Sequence, residues 1–143
     1  TPLYGVAGGP LEPYFPSSDN VAVADHEALS RSRGGQPSSS VLEFPMSVWT
    51  WAGLRVPVSG GVYLRTLPMR MITWCLRQIN KQRPFVVYVH PWEAYAQTPR
   101  LPLPLPSRLA TYHNTGAVLP RLAALLDEFS FAPMRTVVSE LEA

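Results

Sequence analysis

Cys75 is the sequence's one cysteine, which excludes an internal disulfide and a Cys-rich metal site and leaves the redox compartment open. No apolar run approaches the roughly 20 residues of a spanning helix, so no membrane span is expected. Charge is sparse, and the formal net charge is only +2. Arg31, Arg33, Arg55, Arg65, Arg70, Arg77, Lys81 and Arg83 are scattered. Without a basic stripe or block, nucleic-acid binding gets no support. Histidine is scarce as well: His26, His90 and His113 are all there are. Proline is what the sequence has in excess. Its sixteen prolines in 143 residues predict long, extended loops around a core that one domain can hold.

Residues 1–40 show little periodicity. Gly8-Gly9-Pro10, Pro16-Ser17-Ser18-Asp19-Asn20 and the serines of 30–40 are loop chemistry. Residues 21–24 suit one short strand, and Gly34-Gly35-Gln36-Pro37-Ser38-Ser39-Ser40 a flexible connector. The domain division expected is a loop-rich segment 1–40 and an α/β region 41–143. Residues 41–49 read as a strand that Pro45 places at a sheet edge or end. A hairpin or extended insertion follows over 49–58, then a turn at Ser59-Gly60-Gly61.

Residues 67–82 carry the clearest helical pattern. Pro68 suits the first turn, Met71, Ile72, Cys75, Leu76 and Ile79 recur on one face, and Arg70, Arg77, Gln78 and Lys81 on the other. Arg83-Pro84 ends the helix and a strand follows at once, which gives the order β–α–β. Farther on, 99–106 predicts a polyproline II spacer packed on its own domain. Ser107 to His113 suits a short helix capped by Ser107. Val118 to Asp127 suits a helix with Leu119, Leu122, Ala123 and Leu126 buried. A last short strand at 129–131 and a terminal helix over 133–142 complete the pattern.

The most informative run is Phe85-Val86-Val87-Tyr88-Val89-His90-Pro91-Trp92-Glu93. Five residues of high β propensity lead to an imidazole, then a proline, an indole and a carboxylate. This predicts a buried strand that presents His90 at its C-terminal edge, where α/β proteins build sites. A histidine there can move protons near neutral pH, or it can serve as a structural residue bonded to backbone.

Several blocks together carry a resemblance: Leu42-Glu43-Phe44-Pro45-Met46-Ser47; Gly60-Gly61-Val62-Tyr63-Leu64-Arg65-Thr66-Leu67-Pro68; Tyr88-Val89-His90-Pro91-Trp92-Glu93; Ser107-Arg108; Tyr112-His113-Asn114; Pro120-Arg121-Leu122; and Phe131-Ala132-Pro133-Met134-Arg135. In order and spacing the chain resembles the C-terminal half of bacterial polysaccharide deacetylases associated with exopolysaccharide and exosortase loci. That half is a domain of unknown function joined to a nodulation-type (NodB-homology) deacetylase region. Tyr4-Gly5 and Phe15-Pro16 resemble its opening loop, and the chain's start at Thr1 fits a protein entered in its middle.

The resemblance implies an α/β fold forming part of an irregular β/α-barrel, and N-deacetylation of a polysaccharide substrate by a metal-dependent hydrolase. The family's Asp and His-x-x-x-His metal motifs and its Arg-x-Pro motif are absent here. The divalent metal, zinc or similar, is therefore expected in the missing N-terminal deacetylase half, and none is expected in this chain, which should be inactive alone. By the same likeness His90 would be the catalytic general acid for the leaving amine, complementing metal-activated water. Trp92, Glu93 and Arg65 would be substrate-binding. The residues alone leave these roles open: Trp92 suits a sugar platform or packing, Glu93 a solvated charge or an orienter of His90, and Arg65 a brace for the sheet or an anion contact. Tyr63 reads as core. A rival class is a non-catalytic carbohydrate-binding or assembly module that stacks sugars on Trp49, Trp51 and Trp92. The compartment, bacterial cytoplasm or cell envelope, stays open.

Overall fold

The structure is a computed structural model that describes residues 8–26, 41–95 and 97–142. These residues form a mixed α/β structure with a two-stranded antiparallel sheet and several helices. The chain divides into two compact units, Met46–Phe131 and a second made of Thr1–Pro45 with Ala132–Ala143. The connector expected at 34–40 and the likeness at Tyr4-Gly5 lie outside the described residues.

In the larger unit, β1 (Val48–Trp51) and β2 (Leu54–Pro57) pair from Val48↔Pro57 to Trp51↔Leu54. Ala52 and Gly53 join them at φ 47° and 79°, the paired left-handed conformations that match a tight hairpin to strand twist. The expected hairpin is present. The strand expected over 41–49 is not continuous: β1 begins only at Val48, and Glu43 makes a single bridge.

Beyond β2 the chain bends at Ser59 and reaches Gly60, which forms one parallel bridge with Tyr88. Serine hydroxyls replace ladder partners here. Ser47 N–H donates to Ser59 Oγ at 3.0 Å, and Val86 N–H to Ser47 Oγ at 2.8 Å. Tyr88 N–H donates to the Ser59 carbonyl at 2.9 Å. The strand expected over 85–90 is thus reduced to one bridge, though its alternation persists. Phe85, Val87 and Val89 pack on the core while Tyr88 is exposed.

Between the bridge partners lie α1 (Gly61–Thr66) and α2 (Met69–Asn80). Helix α1 stands where the turn was expected to end. Pro68 caps α2, and Ile72, Cys75, Leu76 and Ile79 bury its apolar face. Met71, expected with them, is exposed at the stripe's margin because those four already fill the face. These residues join Val58, Leu64, Val118 and Leu125 in the core.

A single turn, α3 (Pro91–Ala94), follows, then α4 (Leu105–Tyr112), a 3₁₀ turn (Thr115–Ala117) and α5 (Val118–Glu128). Residues 99–104 run exposed into α4, whose N-cap is Pro104 rather than Ser107. Tyr112 pins this stretch, accepting from Leu101 N–H and donating to the Pro99 carbonyl. Helix α5 buries Val118 and Leu125, while Leu119, Ala123 and Leu126, expected inside, are exposed. Its leucines occupy several faces, and Arg121 sets its rotation by donating to the carbonyls of Leu64 (2.6 Å) and Leu67 (2.8 Å). Residues 129–131 form no strand; Phe129 caps α5 and meets Phe85 edge-on at 4.9 Å.

In the smaller unit, Tyr14 and Glu43 exchange backbone bonds of 3.0 and 2.8 Å. Tyr14 and Phe15 are buried, and the Tyr14 hydroxyl donates to the Val21 carbonyl at 2.6 Å. The strand expected at 21–24 contributes only the Ala24 bridge to Pro16. Helix α6 (Met134–Glu142) occupies the terminal segment as expected. Among the described residues no helix is long and apolar enough to cross a membrane.

Candidate functional site

His90 is the N-cap of α3, with φ −86° and ψ 145°. Pro91 at the first helical position needs no N–H partner and starts the turn. Glu93, three residues on, reaches back and accepts from His90 N–H through Oε2 at 2.9 Å, as an N3 glutamate does in a capping box. The His90 ring stacks on Trp92, with centroids 5.4 Å apart and planes 21° apart. Its Nδ1 lies 3.3 Å from the Tyr88 hydroxyl. When that hydroxyl donates, the ring proton resides on Nε2, which leaves Nε2–H available as a donor.

Glu93 is 1% exposed, so the solvated-charge reading is corrected. Its counter-ion is Arg65 of α1, also 1% exposed. Glu93 Oε1 accepts from Arg65 Nε at 3.1 Å and from Nη2 at 2.8 Å. The remaining guanidinium donors go to the C-terminal end of α4: Nη2 to Ala110 O at 2.8 Å, and Nη1 to Thr111 O at 3.3 Å and His113 O at 2.5 Å. All five donors of the side chain are thereby used. A cation among the last carbonyls of a helix satisfies acceptors that the helix cannot. Asn114 follows in the left-handed conformation that asparagine tolerates, and its side-chain amide donates back to the Arg65 carbonyl at 2.9 Å.

Arg65 therefore braces three helices, and its Cζ lies 5.8 Å from the Trp92 ring centroid, within cation–π range. Neither Arg65 nor Glu93 presents its charge to solvent. Both hold the surface formed by His90 and Trp92 in place, Glu93 through the His90 N–H and Arg65 through the Trp92 ring. Gly61 is part of this joint, since a Cβ there would overlap the Glu93 carboxylate.

Sequence reasoning placed His90, Trp92, Glu93 and Arg65 together, and the structure brings all four into contact. It included Tyr88 and Arg121 in the blocks of the resemblance but gave them no role at the site. Tyr88 had a signal, because it shares a strand face with His90 at i and i+2. The role of Arg121 was not legible locally, because its acceptors, the Leu64 and Leu67 carbonyls, lie more than 50 residues away. Among the described residues no three His, Cys, Asp or Glu side chains gather as a metal site would require. His90 and His113 belong to different helix ends, and only the backbone of His113 touches the joint.

No curated protein and no solved structure matches the chain. The residues that meet at Arg65, from Gly61 to Arg121, all fall within residues 3–139, which match the model of the family described as Domain of unknown function (DUF3473), and the chain belongs to that family.

Proposed function

We propose that the chain is the C-terminal part of a polysaccharide deacetylase-like protein, completing an irregular β/α-barrel and supplying His90 as general acid. One observation carries this reading. Four of the sequence blocks that bear the resemblance converge on α1 and Arg65: Gly60 to Pro68 provides Arg65, Tyr88 to Glu93 provides Glu93 and His90, Tyr112 to Asn114 provides the His113 carbonyl and the Asn114 amide, and Arg121 caps α1. Blocks scattered along a chain that meet at the joint behind one imidazole fit a shared task at that imidazole.

Hydrolysis of an N-acetyl group consumes one water, releases acetate and frees the sugar amine. The amine departs readily only if its nitrogen gains a proton as the C–N bond breaks; in this reading His90 gives it from Nε2 as the imidazolium, whose Nδ1–H then donates to the Tyr88 hydroxyl, and returns to the neutral ring. Trp92 offers the adjoining face to a sugar ring, and Arg65 and Glu93 fix both rings. The described residues do not fit a divalent ion, so in this reading its ligands come from the preceding half, and this chain contributes proton transfer and orientation. The alternative is a non-catalytic carbohydrate-binding or assembly module, favoured by the exposure of Trp51. The test is deacetylation by the intact protein with and without His90→Ala. A binding module tolerates that change, and an acid catalyst does not.

A further inference from the structure

Between Glu43 and Glu93 the sequence holds no carboxylate, while it holds Arg55, Arg65, Arg70, Arg77, Lys81 and Arg83. The β1–β2 hairpin and α2 are built wholly from this acid-free stretch. Their outer face is aromatic. Trp49 and Trp51 lie on the same side of β1 with ring planes 7° apart and centroids 6.3 Å apart. Trp74 of α2 meets Trp49 edge-on at 5.1 Å. Trp49 is half-buried and anchors the group, while Trp51 is 67% and Trp74 48% exposed. Arg70 stands one helical turn before Trp74, hence on the same side of α2. It is exposed and meets no carboxylate among the described residues. Arg77, one turn later, is neutralised by Glu128 at 2.6 Å.

Large exposed indoles are unfavourable in water unless something covers them. Here the cover must also answer Arg70, since the acid nearby, Glu128, is spent on Arg77.

We propose that this face binds an anionic polysaccharide, with sugar rings stacked on Trp51 and Trp74 and an acidic substituent paired with Arg70. The apolar C–H face of a pyranose matches an indole plane, and a uronate or similar carboxylate answers the unpaired guanidinium. One unpaired guanidinium beside the indoles is too little for the positively charged groove that tracks a nucleic-acid backbone in single-strand binding. Leu54 alone adds an exposed aliphatic side chain at the hairpin tip, too little for a lipid-inserting face. The choice of a sugar polymer rests on the reading above; its negative charge is the addition.

The experiment titrates the full chain with oligogalacturonate, following heat and tryptophan fluorescence, with circular dichroism as the check that each variant folds. The expected result is saturable binding that weakens with salt. Trp51→Ala and Arg70→Glu should each weaken it roughly ten-fold or more. A neutral cello-oligosaccharide of the same length should bind far more weakly. His90→Ala should leave this binding unchanged, so its outcome is independent of the general-acid assignment. Several results would overturn the proposal: no binding at millimolar oligogalacturonate, binding indifferent to both variants, equal affinity for the neutral sugar, or tighter binding to a single-stranded oligonucleotide or to phosphatidylglycerol vesicles.

Discussion

The carboxylate of Glu93 holds Arg65 with one oxygen and the backbone of His90 with the other, at 2.8 Å and 2.9 Å. A buried ion pair and a helix cap are thus one side chain's work. The position of the imidazole is tied, through Glu93, to a guanidinium 28 residues before that carboxylate.

Glu93→Gln keeps the volume and removes the charge. The Arg65 guanidinium, sealed from solvent, then lacks its counter-ion. Breaking one side of such a pair costs about 3–5 kcal/mol. Urea unfolding should show that loss, and Arg65→Lys should also destabilise because three ammonium donors cannot replace five. A loss in Glu93→Gln no larger than a surface substitution would remove the pair from its role as joint.

Gly61→Ala should destabilise by about 1–3 kcal/mol through overpacking. The reason is local: the new Cβ would occupy the space of the Glu93 carboxylate. The amide resonance of His90, which donates to that carboxylate, should shift with it. An unchanged His90 amide in a folded Gly61→Ala protein would show that the carboxylate sits elsewhere.

Leu76 and Leu126 make a contrasting pair. Leu76 is fully buried in the core, and Leu126 is 55% exposed on α5. Leu76→Ala should cost roughly 2–5 kcal/mol, and Leu126→Ala about 0.5 kcal/mol or less. Denaturation midpoints check both, and the reverse order would mean that α5 is rotated from the position described.

That contrast marks how much of the fold could be read from the residues. In α2 a single apolar stripe faces a basic one, so Ile72, Cys75, Leu76 and Ile79 were legible as a buried face. In α5 Leu119, Leu122, Leu125 and Leu126 spread over several faces, and the choice among them was made by Arg121 reaching α1. Residues 85–90 have the propensity of a strand, but propensity needs a partner. Only Gly60 is supplied, because the neighbouring donors go to serine hydroxyls. His90 and Trp92 were legible as a local run. The burial of Glu93 was not, since it depends on Arg65 in another helix. The His90-Pro91-Trp92-Glu93 spacing does match an N-cap, proline at the first position and an N3 glutamate, and that signal could have argued for an ordered carboxylate.

Burial pushes the Cys75 thiol above its ordinary value. The folded chain therefore keeps a proton that the unfolded chain releases. The stability this contributes is complete below the unfolded thiol value of about 8.5 and is lost as pH rises through the higher folded value. Stability measured from pH 8 upward should fall more steeply for the parent than for Cys75→Ala. The native thiol should also label slowly with a thiol reagent at pH 8 and rapidly in urea. Equal labelling rates in both states would contradict the burial.

His90 is the residue on which the functional reading turns. In the full-length deacetylase proposed above, His90→Ala should lower turnover by about 100-fold or more, the usual effect of losing a general acid. KM should change little, because proton donation to the amine acts in the transition state. Glu93→Gln should lower turnover by less, since it loosens the imidazole without removing it. Its defect should be largest in kcat as well, a pattern that lost stability alone would not produce once active enzyme is counted. Tyr88→Phe removes the hydroxyl beside Nδ1 and should alter the pH–rate profile while leaving an imidazole present. If His90→Ala retains turnover within a few-fold of the parent, the imidazole is a structural residue packed between Tyr88 and Trp92, and the carbohydrate-binding reading takes its place.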